Sequence, residues 1–236
     1  LEIRFRSAAA PASGVVVRFP AALREPAHDC VGCARESCSH HLPKGAEMTR
    51  RPTAWLVDAC WPEFAALARG QAGPEDRLFL PMRWPARAHY AWPELPGGES
   101  RALLVGLARA RALRRLPAVG GALPRAMLGF DRRLAEAYAR SLSHRHTHLV
   151  VGQGLLPHLW RLGCLQGRSF DVLMERWPLA ALQARLDRAL ARYPESPTLG
   201  DFRAPDEIVA AEAEALAAAS RLYTPHGGIA ARFPDR

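Results

Sequence analysis

The chain has 236 residues, of which 49% are hydrophobic and 23% charged, which is enough for a packed globular core. No apolar stretch approaches the roughly 18 residues that a membrane-spanning helix requires, and no signal peptide is recognisable. The net charge of +9 is weak evidence for nucleic acid, because the basic residues are almost all scattered arginines and asparagine is absent, as GC-rich, bacterial-like codon usage would produce. Nucleic acid is therefore disfavoured as the main partner.

A polar insertion at 26–52 is rich in cysteine and histidine. Its candidate metal ligands are Cys30, Cys33, Cys38, His40 and His41, with His28 as an alternate. The first two cysteines have Cys-x2-Cys spacing, which places two thiolates on one tight turn, and mixed sulfur and nitrogen ligands favour structural zinc. A flexible loop with free thiols is the alternative. Clustered cysteines without a disulfide pattern indicate a cytoplasmic protein.

Short apolar runs alternate with helical patterns along most of the chain. Strands are predicted at 14–19, 53–59, 78–82, 148–154, 169–174 and 221–224. Helices are predicted at 101–116, 125–142, 179–192 and 206–220, with a further helix or loop starting at 227 and a loop at 83–100. This alternation predicts α/β architecture, with a Rossmann-like open parallel sheet flanked by helices. We expect a single domain over 1–236 that contains the insertion.

Polar residues and glycines follow three of the predicted strands at their carboxyl ends. The candidate ligand-binding residues are Gly152, Gln153, Gly154, Glu175, Arg176, Thr224 and His226. Because the carboxyl ends of parallel strands meet at one edge of a sheet, we expect Gln153, Arg176 and His226 to cluster there. Ordinary turns are the alternative interpretation. The Gly-x-Gly pair lacks the third glycine of a dinucleotide fingerprint.

Two other polar clusters are interpreted as solvent-exposed. Three histidines would share one face and could bind a metal if the strand at 148 began earlier, but no carboxylate or cysteine accompanies them. One is a histidine triplet that approaches a strand, and the other is the acidic face of the helix at 206–220. Their members are His144, His146 and His148, and Glu207, Glu212 and Glu214.

The C-terminal third has a recognisable order of elements. An acidic helix carrying Glu207 and Glu212 leads into a strand at 221–223, then into the turn Pro225-His226 and a new helix, and two strand-helix units precede it. This order resembles the end of the N-terminal domain of two-Rossmann-domain (GT-B) glycosyltransferases. The resemblance covers 148–233 by element order and loose motifs, and it covers 53–147 by class only.

The resemblance implies sugar transfer from a nucleotide-sugar donor to a hydroxyl acceptor, either a sugar or a lipid-linked molecule. In that family a C-terminal Rossmann domain holds the donor, and this sequence does not contain it. The chain is therefore expected to be the acceptor-side half, inactive alone and dependent on a donor-binding domain or separate chain. Arg176 and His226 are expected to face the cleft. Independently of the resemblance, the basic charge makes an anionic membrane surface a further expected partner of a peripheral protein. The alternatives are a zinc-knuckle nucleic-acid-binding module and a noncatalytic subunit of a two-chain glycosyltransferase.

Overall fold

The computed structural model describes residues 15–18 (backbone only), 52–58, 60–82, 91–117, 121–200 and 202–233. Its strands are β1 (Val15–Arg18), β2 (Thr53–Leu56), β3 (Arg77–Leu80), β4 (Glu99–Arg101), β5 (His148–Gly152), β6 (Ser169–Leu173) and β7 (Arg221–Thr224). Its helices are α1 (Pro62–Gln71), α2 (Leu103–Leu113), α3 (Ala122–Ser141), α4 (Leu156–Arg161), α5 (Leu179–Arg192), α6 (Asp206–Ala218) and α7 (Gly227–Ala230). The insertion with the candidate zinc ligands lies outside these ranges.

All seven strands join one sheet, in the order β1-β7-β6-β5-β2-β3-β4. The six strands from β2 to β7 are parallel to their neighbours, whereas β1 pairs antiparallel with β7 at the edge. The predicted α/β parallel sheet is thus confirmed, with an antiparallel strand added. After β2, the chain adds β3 and β4 on one side of it, and then places β5 on its other side. This reversal makes the gap between β2 and β5 the topological switch point, where open parallel sheets bind ligands.

Two apolar layers cover the sheet because alternate strand residues point to opposite faces. On one face Leu56, Val151 and Val172 pack into a core with Leu134 of α3. On the other face Trp55, Val150 and Leu173 belong to the cluster that contains Phe64 of α1. Burial of both faces explains why β2, β5 and β6 read as nearly continuous apolar runs rather than as alternating ones.

The structure differs from the predicted elements mainly where the apolar signal is weak. Strand β4 replaces the end of the predicted loop at 83–100 and the first residue of the predicted helix at 101–116. Glu99, Ser100 and Arg101 show no hydrophobic alternation, and they gain strand geometry by pairing with β3. The predicted break between the two central helices ends early, since Pro124 lies in the first turn of α3, where a missing N–H is tolerated.

No helix in the described ranges is both long and apolar enough to cross a membrane.

Candidate switch-point site

A cavity of about 110 Å³ lies at the switch point. The residues that follow β2 and β5 form its floor, and α2, α3 and the loop after β6 form its walls. Its polar lining residues are Asp58, Arg109, Asp131, Gln153 and Glu175, and its apolar lining includes Phe64, Trp92 and Met127. Five segments of the chain therefore deliver one polar side chain each to this concave space.

Asp58 and Arg109 form an ion pair across this cavity. Asp58 comes just after β2, and Arg109 projects from the inner side of α2, so that Nη1 of the guanidinium lies 2.5 Å from Oδ1 of the carboxylate. Arg109 also contacts Sδ of Met127, 3.5 Å from Nη2. Both charged side chains are largely shielded from solvent, with 14% and 22% of their surfaces exposed. The guanidinium is thus already neutralised by a carboxylate.

Asp131 enters the cavity from α3, and a hydrogen bond about two turns further along the helix fixes its position. Tyr138 donates its hydroxyl to the backbone oxygen of Val57 at 2.8 Å, which ties α3 to the end of β2. Asp131 lies on the same side of α3 as Leu134 and Tyr138, by its i, i+3, i+7 spacing. The pKa of Asp131 is raised to about 7, chiefly by burial and then by the nearby Asp58 and Glu175 carboxylates, while Arg109 and Arg176 act in the opposite direction.

Gly154 leaves the space that the Asp131 carboxyl group occupies. A Cβ atom added at Gly154 would lie 3.3 Å from Oδ2 of Asp131, which is tighter than an ordinary contact. Among the described residues, no hydrogen bond reaches this carboxyl group. A half-buried carboxyl without a partner, facing a cavity, is available to a ligand.

Gln153 and Arg176 meet over a buried carboxylate. Glu212 of α6 is 1% exposed, and its Oε1 accepts from Nε2 of Gln153 at 3.2 Å and from Nη1 of Arg176 at 2.9 Å. Its Oε2 accepts from the backbone N–H of Leu179, at the start of α5. Oε1 of Gln153 in turn accepts from the backbone N–H of Arg176 at 3.1 Å. This network fixes the loops after β5 and β6 relative to each other.

His226 lies on a separate aromatic rim. Its ring packs edge-on against Trp61, with centroids 5.6 Å apart, and Nε1 of Trp61 donates to Oε2 of Glu175 at 3.0 Å. Thr224 is buried and serves the turn, since its Oγ1 accepts from the backbone N–H of His226 at 3.2 Å. Glu175 therefore joins the rim to the cavity.

The candidate residues of the sequence analysis are thus placed in three ways. Gly152, Gln153, Gly154 and Glu175 line the cavity. Arg176 is held behind it by Glu212, and Thr224 and His226 belong to the rim. The strand-end loops lie at one edge because their strands are parallel and in register.

The solvent-exposed interpretation of the two polar clusters was wrong in part, because Glu207, Glu214 and His144 are exposed whereas Glu212 and His146 are buried. Glu212 does not belong to a solvated face, because it fills a position between Ile208 and Leu216 on the buried side of α6 and satisfies three donors. The three histidines do not share a strand face. β5 begins only at His148, and His146 is buried with its ring edge-on to Phe79 at 6.0 Å.

Asp58, Arg109 and Asp131 were missed as site residues by the sequence analysis. Asp58 directly follows a predicted strand, so the strand-end rule could have included it. Asp131 is a charged residue on the apolar stripe of α3, which is a recognisable signal. Nothing in the sequence distinguishes Arg109 from its neighbouring arginines.

No group of three His, Cys, Asp or Glu side chains that could hold a metal ion occurs in the part of the chain that the structure describes. The zinc ligands predicted within 26–52 lie outside that part.

No protein-family model, curated protein or solved structure matches this chain. The switch-point cavity, or crevice, has a chemical character of its own. Three carboxyl groups line it against one guanidinium, which one of those carboxylates already neutralises. Such a lining can accept hydrogen bonds from hydroxyl groups and can accept a proton.

Proposed function

We propose that this domain is the acceptor-side half of a glycosyltransferase. In this proposal the crevice between β2 and β5 binds a hydroxyl-bearing acceptor, and Asp131 accepts the proton of the attacking hydroxyl. The single observation that carries the proposal is the Asp131 carboxyl group, which faces the switch-point cavity without a hydrogen bond from the described residues and has a pKa of about 7.

The charge of the crevice supports an acceptor rather than a nucleotide. A diphosphate needs unpaired cationic groups or a glycine-rich loop at a helix N-terminus. Here the lining guanidinium of Arg109 is paired with Asp58. Gly152 and Gly154 precede α4, but the Asp131 carboxyl group lies beside Gly154 in the same space. These carboxylates would repel phosphate oxygens, whereas they can accept hydrogen bonds from the hydroxyl groups of a neutral sugar or polyol.

Proton transfer to Asp131 gives a balanced reaction. The acceptor oxygen forms a bond to the anomeric carbon of the donor sugar, the bond from that carbon to the nucleoside diphosphate breaks, and the hydroxyl proton moves to the Asp131 carboxylate. A general base is most effective when its pKa lies near the working pH, since it is then both largely ionised and sufficiently basic. A carboxyl group with a pKa of about 7 meets this condition.

The donor and its diphosphate would be held by a further domain or a separate chain that closes over the carboxyl edge of the sheet. Trp61, Glu175 and His226 form the rim that such a partner would meet, and Trp61 is 36% exposed. An exposed indole offers a flat apolar surface on which a sugar ring can pack. Developing charge on the leaving diphosphate would then be stabilised by the partner.

The proposal is tested by acceptor-dependent release of nucleoside diphosphate. The natural full-length protein is supplied with a panel of nucleotide sugars, with and without sugar and lipid-linked acceptors. We expect release only with an acceptor, and a loss of about 100-fold or more in Asp131→Asn, which removes the base. Glu207→Gln, an exposed change on α6, is the matched control and should keep full activity. No turnover with any pair, or full turnover in Asp131→Asn, would contradict the proposal.

A further inference from the structure

The outer face of α2 exposes three leucines. Leu103 is 49% exposed, Leu104 84% and Leu107 53%. These side chains are adjacent on the helix surface, because they are one, three and four residues apart. Single exposed leucines are common on protein surfaces, but a contiguous group on one helix face marks a contact surface.

The packing of α2 on the sheet fixes this orientation. Gly106 is the only buried residue of the helix, and a Cβ atom there would lie 3.1 Å from the backbone oxygen of Pro81. The helix therefore approaches the end of β3 through its glycine. Arg109 points inward from the same side of the helix toward Asp58. The leucines therefore lie on the side of α2 that faces away from the core, and they are exposed in the described structure.

The exposed charged residues that follow these leucines on α2 are all arginines. Arg111, Arg114 and Arg115 are exposed at the following turn of α2 and just past its end. The sequence contains no acidic residue between Glu99 and Asp131, and the Glu99 carboxylate is occupied by Arg101, 2.8 Å away. Three exposed guanidinium groups thus follow the leucines on α2, and this segment of the sequence has no acidic residue that could pair with them.

We propose that the outer face of α2 docks on an anionic membrane surface. In this arrangement the helix lies in the plane of the interface, the leucines enter the boundary between headgroups and acyl chains, and the arginines contact lipid phosphates. Apolar residues bordered by basic ones on one face have the chemistry that this interface requires. A nucleic acid would match the arginines but not the leucines, which is why we favour the membrane.

Docking would place the crevice beside the bilayer, because Arg109 on the inner side of α2 is part of the crevice wall. The acceptor class that follows is a lipid-linked hydroxyl compound, whose headgroup enters the crevice while its chain stays in the membrane. This second part rests on the proposed function. The docking itself rests only on the exposed face of α2.

Vesicle sedimentation tests the docking with the full-length protein. The probes are vesicles of phosphatidylcholine alone and vesicles of phosphatidylcholine mixed with anionic phosphatidylglycerol. We expect binding to the anionic vesicles, and a loss of about tenfold or more in Leu104→Glu/Leu107→Glu, since two apolar side chains can no longer be buried. Replacing the three arginines by glutamine should weaken binding by roughly fivefold per arginine. Leu162→Glu is the matched control, because Leu162 is 46% exposed and lies outside α2.

Several outcomes would overturn the docking proposal. They are absence of binding to anionic vesicles, equal binding by the double leucine variant, and equal loss in Leu162→Glu. A dimer in ultracentrifugation that the leucine variant dissociates, without vesicle binding, would assign the face to a second copy. Nucleic-acid binding that the arginine variant loses and the leucine variant keeps would assign it to nucleic acid.

A second measurement separates docking from the proposed reaction. Asp131→Asn should bind vesicles as the wild type does, because its side chain is not on the outer face of α2. If the acceptor is membrane-borne, the double leucine variant should lose transfer to a vesicle-embedded acceptor and keep transfer to a soluble analogue. Loss of transfer to both acceptors in the double leucine variant would contradict the docking role. A wild type that binds vesicles but transfers no sugar would contradict the proposed function alone.

Discussion

The carboxyl group of Asp131 makes the stability of the protein depend on pH. Its pKa in the folded protein is about 7, above the ordinary value of 3.8, chiefly because the group is buried. As pH rises above the ordinary value, the unfolded chain releases this proton while the folded chain keeps it. The free energy of unfolding contributed by this group therefore falls between about pH 4 and pH 7 and is constant above that range.

Asp131→Asn should remove this dependence. We expect the variant to be more stable than the wild type at pH 8, by about 1 to 3 kcal/mol, because an amide carries no charge to bury. The advantage should shrink toward pH 4, where the wild-type carboxyl is protonated in both states. Thermal melts at pH 4, 6 and 8 check this. A variant that is equally or less stable at pH 8 would show that folding does not disfavour ionisation of the Asp131 carboxyl group.

His158 gives the opposite dependence. Burial, with Arg132 and Arg161 nearby, lowers its pKa from 6.5 to about 4. Below pH 6.5 the unfolded chain binds a proton that the folded chain does not, so the free energy of unfolding falls as pH decreases toward 4. His158→Leu should reduce this acid-induced loss by about 2 kcal/mol. Denaturant unfolding at pH 7 and pH 4 measures it, with the exposed His144→Leu as the control that should keep the wild-type loss.

At the scale of elements, Glu212 joins the loops after β5 and β6 to the start of α5. Glu212→Ala would leave the donors of Gln153, Arg176 and Leu179 without their shared acceptor. We expect a loss of about 2 to 3 kcal/mol in the free energy of unfolding, because buried polar groups lose their partners and Arg176 is only partly accessible to water. Glu207→Ala, on the exposed side of the same helix, should change it by less than about 0.5 kcal/mol. Equal effects in denaturant unfolding would show that the network does not stabilise the fold.

The Cys/His insertion carries a prediction that depends on its sequence alone. If Cys30, Cys33 and Cys38 bind zinc with His40 or His41, the purified protein should contain about one zinc per chain. Elemental analysis after anaerobic purification measures this, and Cys30→Ser/Cys33→Ser should abolish the content while Cys164→Ser keeps it. A metal-free wild type that does not take up added zinc would favour the flexible loop with free thiols.

The sequence predicted some elements better than others for physical reasons. α5 and β7 match their predicted ranges, and β5 and β6 nearly do, because buried strands and an amphipathic helix leave clear apolar patterns. β4 leaves none, since three polar residues become a strand only through pairing with β3. Glu212 was assigned to solvent because acidic residues are usually exposed, and a buried exception requires donors that come from other elements.

At the scale of the whole molecule, the site depends on a contact that no local pattern encodes. The pairing of β2 with β5 joins segments far apart in the chain, with Leu56 opposite Val151. This pairing creates the switch point, and α2 and α3, which connect β4 to β5, then bring Arg109 and Asp131 to it. Parallel strands could be predicted from the alternation of elements, but their order could not. The strand-end residues were therefore identified, while the helix residues that complete the cavity were not.

The central claim is that Asp131 accepts the proton of an acceptor hydroxyl in the switch-point crevice. The pH dependence of kcat/KM for sugar transfer by the full-length protein tests it most directly. We expect the rate to rise with pH and level off above about 7, following ionisation of Asp131. In Asp131→Asn the rate should fall about 100-fold or more and lose this rise. A profile that keeps the same inflection in Asp131→Asn, or a variant within twofold of the wild type, would contradict the account.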